Sequence, residues 1–223
     1  MRSTRQVVVA VDGPSGSGKS STSRGVAAAL GLRYLDTGAM YRAVTWWMLE
    51  HGVSPTDSAE VAARADEPVV ETGTDPLEPT IRVDGVDVAT AIRGPKVTAT
   101  VSQVSAVPEV RARLLEIQRA TIGAGGIVVE GRDIGTVVVP DADVKIFLTA
   151  DPSARAWRRS AEEGGSDVSS VEESLLRRDR IDSGRTTAPL MMAADAHHID
   201  TTGHTLDEVI AQVIDLVAGV TAT

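Results

Sequence analysis

One stretch of eight residues has a composition and spacing suited to binding phosphate. Residues 13–20 read GPSGSGKS, which matches the P-loop pattern G-x-x-x-x-G-K-[ST] between a predicted strand and a predicted helix. Glycines let the backbone curl so that successive N–H groups point inward and cradle an anion. Lys19 would reach the outer phosphates of ATP, and the Ser20 hydroxyl would ligate Mg²⁺. The predicted ATP-binding residues are Gly13, Pro14, Ser15, Gly16, Ser17, Gly18, Lys19, Ser20 and Ser21.

Two other segments carry side chains suited to phosphate or metal. Thr37 and Arg42 follow a short apolar stretch at the start of a predicted helix, the edge of an open α/β sheet where ligands bind. Glu130 and Arg132 follow another apolar strand, where the acid could hold a Mg²⁺-bound water and the arginine a phosphate. Each segment alone also fits a plainer interpretation, a helix cap with an exposed arginine or a turn with a surface ion pair.

Other P-loop classes need motifs that this sequence lacks. Guanine-nucleotide switches require Asn-Lys-x-Asp, and none of the three lysines, Lys19, Lys96 and Lys145, lies in such a motif. The apolar run ending in Asp-Glu that is common in long-range ATPases is also missing. These absences favour a small-molecule kinase over a guanine-nucleotide switch or a large ATPase.

Composition narrows the function classes further. The formal charge of −9 argues against general nucleic-acid binding, which depends on a basic face. No apolar run reaches the roughly 18 residues of a membrane span. There is no cysteine, so disulfides and thiolate metal sites are excluded, and a cytoplasmic location is expected. The four histidines show no metal-ligand spacing with acids and are interpreted as structural.

Alternating strands and helices predict a mostly parallel sheet covered on both faces. The predicted strands are 6–11, 33–35, 127–130, 144–148 and 198–200. The predicted helices are 18–30, 37–51, 59–65, 96–105, 108–122, 152 to about Glu163, 170–181 and one after Thr205. Ser170 with Glu173 and Thr205 with Glu208 are predicted capping boxes. The last helix carries an apolar stripe of Leu206, Val209, Ile210, Val213, Ile214 and Val217.

The segment between residues 67 and 88 differs in character from the rest. It holds short alternating apolar runs separated by turn residues, and Asp84-Gly85 between two of them is a strong hairpin signal. This pattern predicts a small antiparallel lobe inserted into the α/β chain.

Six segments together resemble the bacterial cytidylate kinases. In chain order they are VDGPSGSGKSS, LDTGAMYRA, VSQVSAVPEVR, VEGRDIGTVVVPDADVKIFL, RAWRR and RRDRIDSGRTTAPL. The resemblance runs from Val7 to about Val217 and implies a three-layer, adenylate-kinase-like P-loop fold with a five-stranded parallel sheet. It also implies a core of residues 1–62 and 98–223, an inserted monophosphate-binding lobe of about 63–97 and a lid of about 155–166.

The resemblance further implies transfer of the γ-phosphoryl group of ATP to CMP, with dCMP as a further acceptor and Mg²⁺ as cofactor. The implied CMP-binding residues are Thr37, Arg42 and Arg132 at the phosphate, Ser102, Arg111, Asp133 and Arg185 at the cytosine, and Arg178 and Asp182 at the ribose. Asp36 is a further implied CMP-binding residue. The implied catalytic residues are Lys19, Arg132 and the lid arginines Arg155, Arg158 and Arg159. The implied metal group is Ser20, with Glu130 acting through water. Relatives of this family are often monomers.

Two alternatives to this function remain open at the level of sequence. One is a different small-molecule P-loop kinase that acts on UMP or on a non-nucleotide alcohol. The other is a non-catalytic nucleotide switch or binding module. The cytosine set weighs against the first alternative, and the missing guanine motif weighs against the second.

Overall fold

A five-stranded parallel sheet organises the fold, which the computed structural model describes for residues 6–162 and 164–221. Its strands, in chain order, are β1 Val8–Asp12, β2 Arg33–Asp36, β6 Ile127–Gly131, β7 Val144–Thr149 and β8 His197–Asp200. Their spatial order is β2-β6-β1-β7-β8, and every neighbouring pair is parallel. The predicted three-layer P-loop fold with a five-stranded sheet is confirmed.

Helices cover both faces of this sheet. On one face, α1 (Lys19–Leu30) and α8 (Leu206–Thr221) pack apolar side chains against the strands. On the other face lie α2 (Thr37–Glu50) and α5 (Pro108–Ile122). The remaining helices are α3 Ser58–Ala63, α4 Pro95–Val104, α6 Pro152–Glu162 and α7 Val168–Gly184. Within the described parts of the chain, no helix has the length and apolarity needed to cross a membrane.

The register of the central strands brings the ligand-binding segments to one edge. Asp12 at the end of β1 lies beside Gly131 of β6, and Asp36 at the end of β2 lies beside Glu130. The P-loop therefore begins next to the acidic end of β6, and β6 separates it from the end of β2, where α2 starts. The expectation that these segments share the carboxyl edge of the sheet is confirmed.

A second, antiparallel sheet lies between α3 and α4. It consists of β3 Val70–Thr72, β4 Ile81–Val83 and β5 Val86–Asp87. The predicted Asp84-Gly85 turn joins β4 to β5, with φ values of 52° and 78° that suit a tight hairpin. Trp47 of α2 donates from Nε1 to Asp84 at 2.7 Å, which attaches this sheet to the core.

Helix termini show where local sequence signals were sufficient. The Thr205–Glu208 capping box is confirmed by reciprocal hydrogen bonds of 2.8 and 3.3 Å. The box predicted at Ser170 is wrong, because α7 begins earlier and its cap is Asp167, which accepts from the Ser170 amide at 2.8 Å. Leu206 does not join the buried stripe of α8 and is 45% exposed. The predicted end of α6 at Glu163 lies outside the described residues.

Candidate functional site

The P-loop joins β1 to α1 and keeps the shape that phosphate binding needs. Gly13 has a φ of 147°, and a Cβ there would lie 2.1 Å from the Leu148 carbonyl oxygen, so only glycine fits. Helix α1 follows Gly18 without a side-chain cap and without an acid in its first turn. Its first backbone N–H groups and the positive end of its dipole are therefore available to an anion.

Lys19 is the cationic centre of this loop. Its side chain is buried, and its ammonium group donates to the Pro14 carbonyl at 2.6 Å. Burial, and then the nearby Arg132, lower the pKa of Lys19 to about 7, while Glu130 and Asp12 act in the opposite direction. A bound phosphate would supply the negative charge that favours the protonated form of the lysine.

Ser20 and Glu130, which were predicted to hold a metal, are hydrogen-bonded to each other. The Ser20 hydroxyl donates to one carboxylate oxygen of Glu130 at 3.0 Å, and the buried Tyr34 hydroxyl donates to the other. Burial, and then Asp36, raise the pKa of Glu130 to about 7, with Lys19 and the two hydroxyls opposing the shift. A hydroxyl and a carboxylate beside a phosphate cradle are suitable oxygen ligands for Mg²⁺, which keeps several waters and binds partly through substrate phosphates.

The predicted residues meet around one cavity of about 690 Å³. It extends from the P-loop, past the ends of β2 and β6, to helices α4, α5 and α7. All predicted site residues line it except Gly13, Pro14 and Arg155. The ATP half and the acceptor half predicted from sequence are thus parts of a single continuous space.

The three side chains predicted to bind the CMP phosphate all line the cavity. The Thr37 hydroxyl donates to the Glu130 carbonyl at 2.7 Å. Arg132 donates from Nε to Asp182 at 3.1 Å. Arg42 donates to the Ile92 carbonyl and the Thr98 hydroxyl at 3.0 and 2.9 Å. Burial, followed by the neighbouring arginines, lowers the pKa of Arg42 to about 9. The concentration of positive charge therefore favours an anion at this position.

A buried ion pair lies at the far end of the acceptor half. Arg111 of α5 donates to the carboxylate of Asp133 and, at 3.3 Å, to the carbonyl of Ser105. Arg185 approaches the Ser105 hydroxyl at 3.5 Å, and the buried Ser102 lines the same end. Burial raises the pKa of Asp133, and Arg111 opposes that rise most strongly. This end can both donate and accept hydrogen bonds, as recognition of a base edge requires.

The arginines of α6 and α7 differ in where their guanidinium groups lie. Arg158 donates to the Thr201 carbonyl at 2.6 Å, and Arg159 pairs with Glu162 at 3.0 Å, both at the cavity wall. Arg178 donates to the Ser15 hydroxyl at 3.2 Å, so α7 directly contacts the P-loop. Burial, and then Arg132, lower the pKa of Arg178 to about 10.

Arg155, which was predicted to contact the ATP phosphates or the transferring group, does not line the cavity in this structure. Its guanidinium is buried and donates to the carbonyls of Ala150 and Ser15 and to the Asp179 carboxylate at 3.1, 3.0 and 2.6 Å. Its donors are directed into the protein because α6 packs closely on the P-loop, where a Cβ on Gly16 would lie 3.1 Å from the Arg155 Cβ. In this arrangement Arg155 supports the loop from behind.

Several side chains at or beside the cavity were not predicted. Tyr34 contacts Glu130, and the carboxylate of Asp12 binds the turn that follows Asp133. Thr201 and His204 line the end of the cavity beside α8. The G-x-x-x-x-G-K-[ST] pattern gives no role to the residue before its first glycine, and Tyr34 lies in an apolar strand, so neither carried a recognisable signal.

Comparison with known proteins agrees with this geometry. The sequence profile of the cytidylate kinase family matches residues 9–219. The cytidylate kinase of Streptomyces avermitilis is 60% identical over 218 residues, which cover 97% of this chain and 94% of that protein. The cytidylate kinase of Nocardia farcinica is 54% identical, with 95% and 94% coverage. An uncharacterized protein of Eubacterium ventriosum shares the fold with a TM-score of 0.54, 11% identity and coverage of 96% and 99%. The chain belongs to the cytidylate kinase family.

Proposed function

We propose that this chain is an ATP-dependent (d)CMP kinase that transfers the γ-phosphoryl group of ATP to CMP or dCMP, giving ADP and CDP or dCDP. The observation that carries the proposal is the single cavity in which the P-loop meets the Arg111–Asp133 pair across a group of arginines. Relatives named cytidylate kinase, at up to 60% identity over nearly the whole chain, support this assignment. The product supplies pyrimidine nucleotide metabolism.

The proposed roles follow the two halves of the cavity. ATP phosphates bind the P-loop and Lys19, with Arg158 and Arg159 beside them. The CMP phosphate binds Thr37, Arg42 and Arg132 near the helix capped by Asp36. Its oxygen is already nucleophilic, so the enzyme needs alignment and positive charge and no dedicated general base.

The ribose is assigned to Arg178 and Asp182. The contact of Arg178 with Ser15 supports a further role for this arginine at the transferred phosphoryl group. Closure of the lid, about residues 155–166, over bound ATP would keep water from taking the phosphate. We further propose the division into core, lobe and lid, a monomer and a cytoplasmic location.

Base recognition is assigned to Ser102, Arg111, Asp133 and Arg185. Cytosine has an N4 amino donor beside the N3 and O2 acceptors, whereas uracil has an O4 acceptor and an N3–H donor. A carboxylate opposite N4 accepts from cytosine and repels the uracil O4, and an arginine donates to N3 or O2. A site built around a specific donor rejects the analogue that lacks it, because its buried polar groups are then unpaired.

Asp133→Asn tests this assignment of the base. We expect the CMP-to-UMP ratio of kcat/KM to fall by on the order of ten-fold or more, mainly through loss of CMP, because the amide weakens the bond to N4. Steady-state kinetics on both substrates measure the ratio, with Asp215→Asn on the exposed face of α8 as the matched control. A lower kcat/KM on both substrates with an unchanged ratio would show that Asp133 supports Arg111 and does not recognise the base.

An alternative role for Asp133 is orientation of Arg132 through an ion pair. The structure favours a different pairing, since Arg132 donates to Asp182 and Asp133 pairs with Arg111. Loss of Asp133 should therefore affect the end of the cavity assigned to the base more than the phosphate site.

Mg²⁺ is assigned to Ser20 and, through water, to Glu130. The ion would neutralise developing charge on the phosphates, while the two side chains orient it.

Tyr34→Phe removes the hydroxyl that holds the second oxygen of Glu130. We expect the Mg²⁺ concentration needed for half-maximal ATP binding to rise several-fold, because Glu130 loses a bond that fixes its orientation and favours its ionised form. Calorimetric titration of ATP at a series of MgCl₂ concentrations measures this, and ATP binding without Mg²⁺ is the control. An unchanged Mg²⁺ dependence of ATP binding would show that Tyr34 has no influence on Mg²⁺ binding.

A further inference from the structure

The turn that presents Arg132 and Asp133 to the cavity has no cap of its own. After β6 the chain forms a short π-helical segment, Ile134–Val138, whose N-cap position is Asp133. The Asp133 side chain makes no capping hydrogen bond, because its carboxylate pairs with Arg111. The first N–H groups of a helical segment have no partner within it, and leaving such buried donors unpaired is costly.

Asp12, on the neighbouring strand, supplies the missing acceptors. One of its carboxylate oxygens accepts from the Ile134 amide and the other from the Gly135 amide, each at 2.8 Å. The side chain is 4% exposed, so these bonds are shielded from solvent. Asp12 therefore performs from β1 the capping that Asp133 would otherwise perform locally, and Asp133 can face Arg111 instead.

Because of the position of Asp12, its two hydrogen bonds affect both halves of the cavity. Asp12 directly precedes Gly13, the first P-loop residue, and lies beside Gly131 in the sheet register. Lys145 also packs closely on the capped turn, since a Cβ on Gly135 would lie 3.2 Å from its side chain. One carboxylate thus fixes the turn after β6 relative to the strand that carries the P-loop.

We propose that Asp12 is a positioning residue for the acceptor half of the site, which holds Arg132 and Asp133 in register with the P-loop by capping the turn that follows them. This rests on the proposed function, because Arg132 is assigned there to the CMP phosphate and Asp133 to the cytosine. Asp12 itself contacts neither substrate, and its effect passes through the backbone of Ile134 and Gly135.

Asp12→Asn is the direct test. The substitution keeps the size of the side chain but turns an NH₂ group toward one of the two N–H donors, which loses its acceptor. We expect the Kd for CMP, measured by calorimetry, to rise about ten-fold, because the turn next to Arg132 and Asp133 loses one of the two hydrogen bonds that hold it in the binding geometry. The CMP-to-UMP ratio of kcat/KM falls several-fold, while the Kd for ATP stays within about two-fold of wild type.

Asp143→Asn is the matched control, because its carboxylate accepts from the Val8 amide at 2.9 Å at the opposite end of the same strand. It should lower the Tm without changing the Kd for CMP relative to that for ATP, or the CMP-to-UMP ratio of kcat/KM. Equal losses for CMP and ATP in the Asp12 variant, or an unchanged Kd for CMP, would overturn the positioning role. Absence of CMP turnover by the wild-type enzyme would instead overturn the proposed function.

A measurement on the wild-type protein keeps the proposal testable if the Asp12 variant does not fold. Amide hydrogen exchange followed by NMR should show the Ile134 and Gly135 amides protected to the level of the central strands, both with and without CMP. Exchange at the rate of an unbonded amide would show that the cap is absent in solution and would overturn the inference.

Discussion

Lys19→Ala should lower kcat by roughly 10²–10³-fold, the range found when one preorganised group that meets developing charge is removed. The ammonium group lies in the P-loop, buried beside Glu130 and Arg132, where it would meet charge on the outer phosphates of ATP. The fold should persist, because the ammonium group donates to the Pro14 carbonyl within the same loop and joins no distant segments by that bond. Steady-state kinetics and thermal unfolding measure the two effects.

Lys96→Ala is the matched control for this experiment. Lys96 lies exposed in the first turn of α4 and does not line the cavity. The control should retain wild-type kcat and a similar Tm. A folded Lys19→Ala protein with wild-type kcat would show that the P-loop does not carry out the chemistry.

Arg132→Ala should weaken CMP binding far more than ATP binding. Removing a charge-assisted contact to an ionised group costs about 1.5–3 kcal/mol, or roughly 10- to 150-fold in Kd at 25 °C. Arg132 follows β6, lines the cavity and is paired with the buried Asp182. Arg42→Ala should act in the same direction, because Arg42 lies half-buried near other arginines, where an anion relieves their repulsion. Calorimetry with each nucleotide separately measures the difference.

Two further variants make the arginine experiment specific. Arg177→Ala removes an exposed arginine of α7 and should leave both affinities unchanged. Arg132→Lys keeps the charge but lacks the two-pronged geometry, so it should restore only part of the CMP affinity. If Arg132→Ala raised the Kd values for ATP and CMP equally, the assignment of this arginine to the CMP half of the site would be wrong.

Local sequence signals were sufficient for most of the fold and for the phosphate cradle. The P-loop, the Asp84-Gly85 hairpin and the Thr205 capping box each depend on residues within a few positions of one another. The prediction of the α7 cap was wrong because two capping patterns overlap, one from Asp167 to Ser170 and one from Ser170 to Glu173. Both satisfy the local rule, and the structure uses the earlier one.

The parts that sequence reasoning missed depend on contacts between distant residues. Asp12 meets its partner amides across 122 and 123 positions, and Tyr34 meets Glu130 across 96. No periodic pattern records such a pairing. The location of Arg155 behind the P-loop depends on distant contacts in the same way, because position on α6 does not show whether a long side chain points into a cavity or behind a loop.

Phosphoryl transfer from ATP to separate acceptors tests the central claim most directly. Purified protein with Mg²⁺ and ATP would be given CMP, dCMP, UMP, AMP or a non-nucleotide alcohol, with ADP release followed by a coupled assay and the product identified by mass. We predict efficient formation of CDP and dCDP, with a kcat/KM for UMP lower by a large factor, because uracil mismatches Asp133 and the arginines beside it. A higher kcat/KM on another acceptor, or ATP binding without transfer to any of them, would contradict the account.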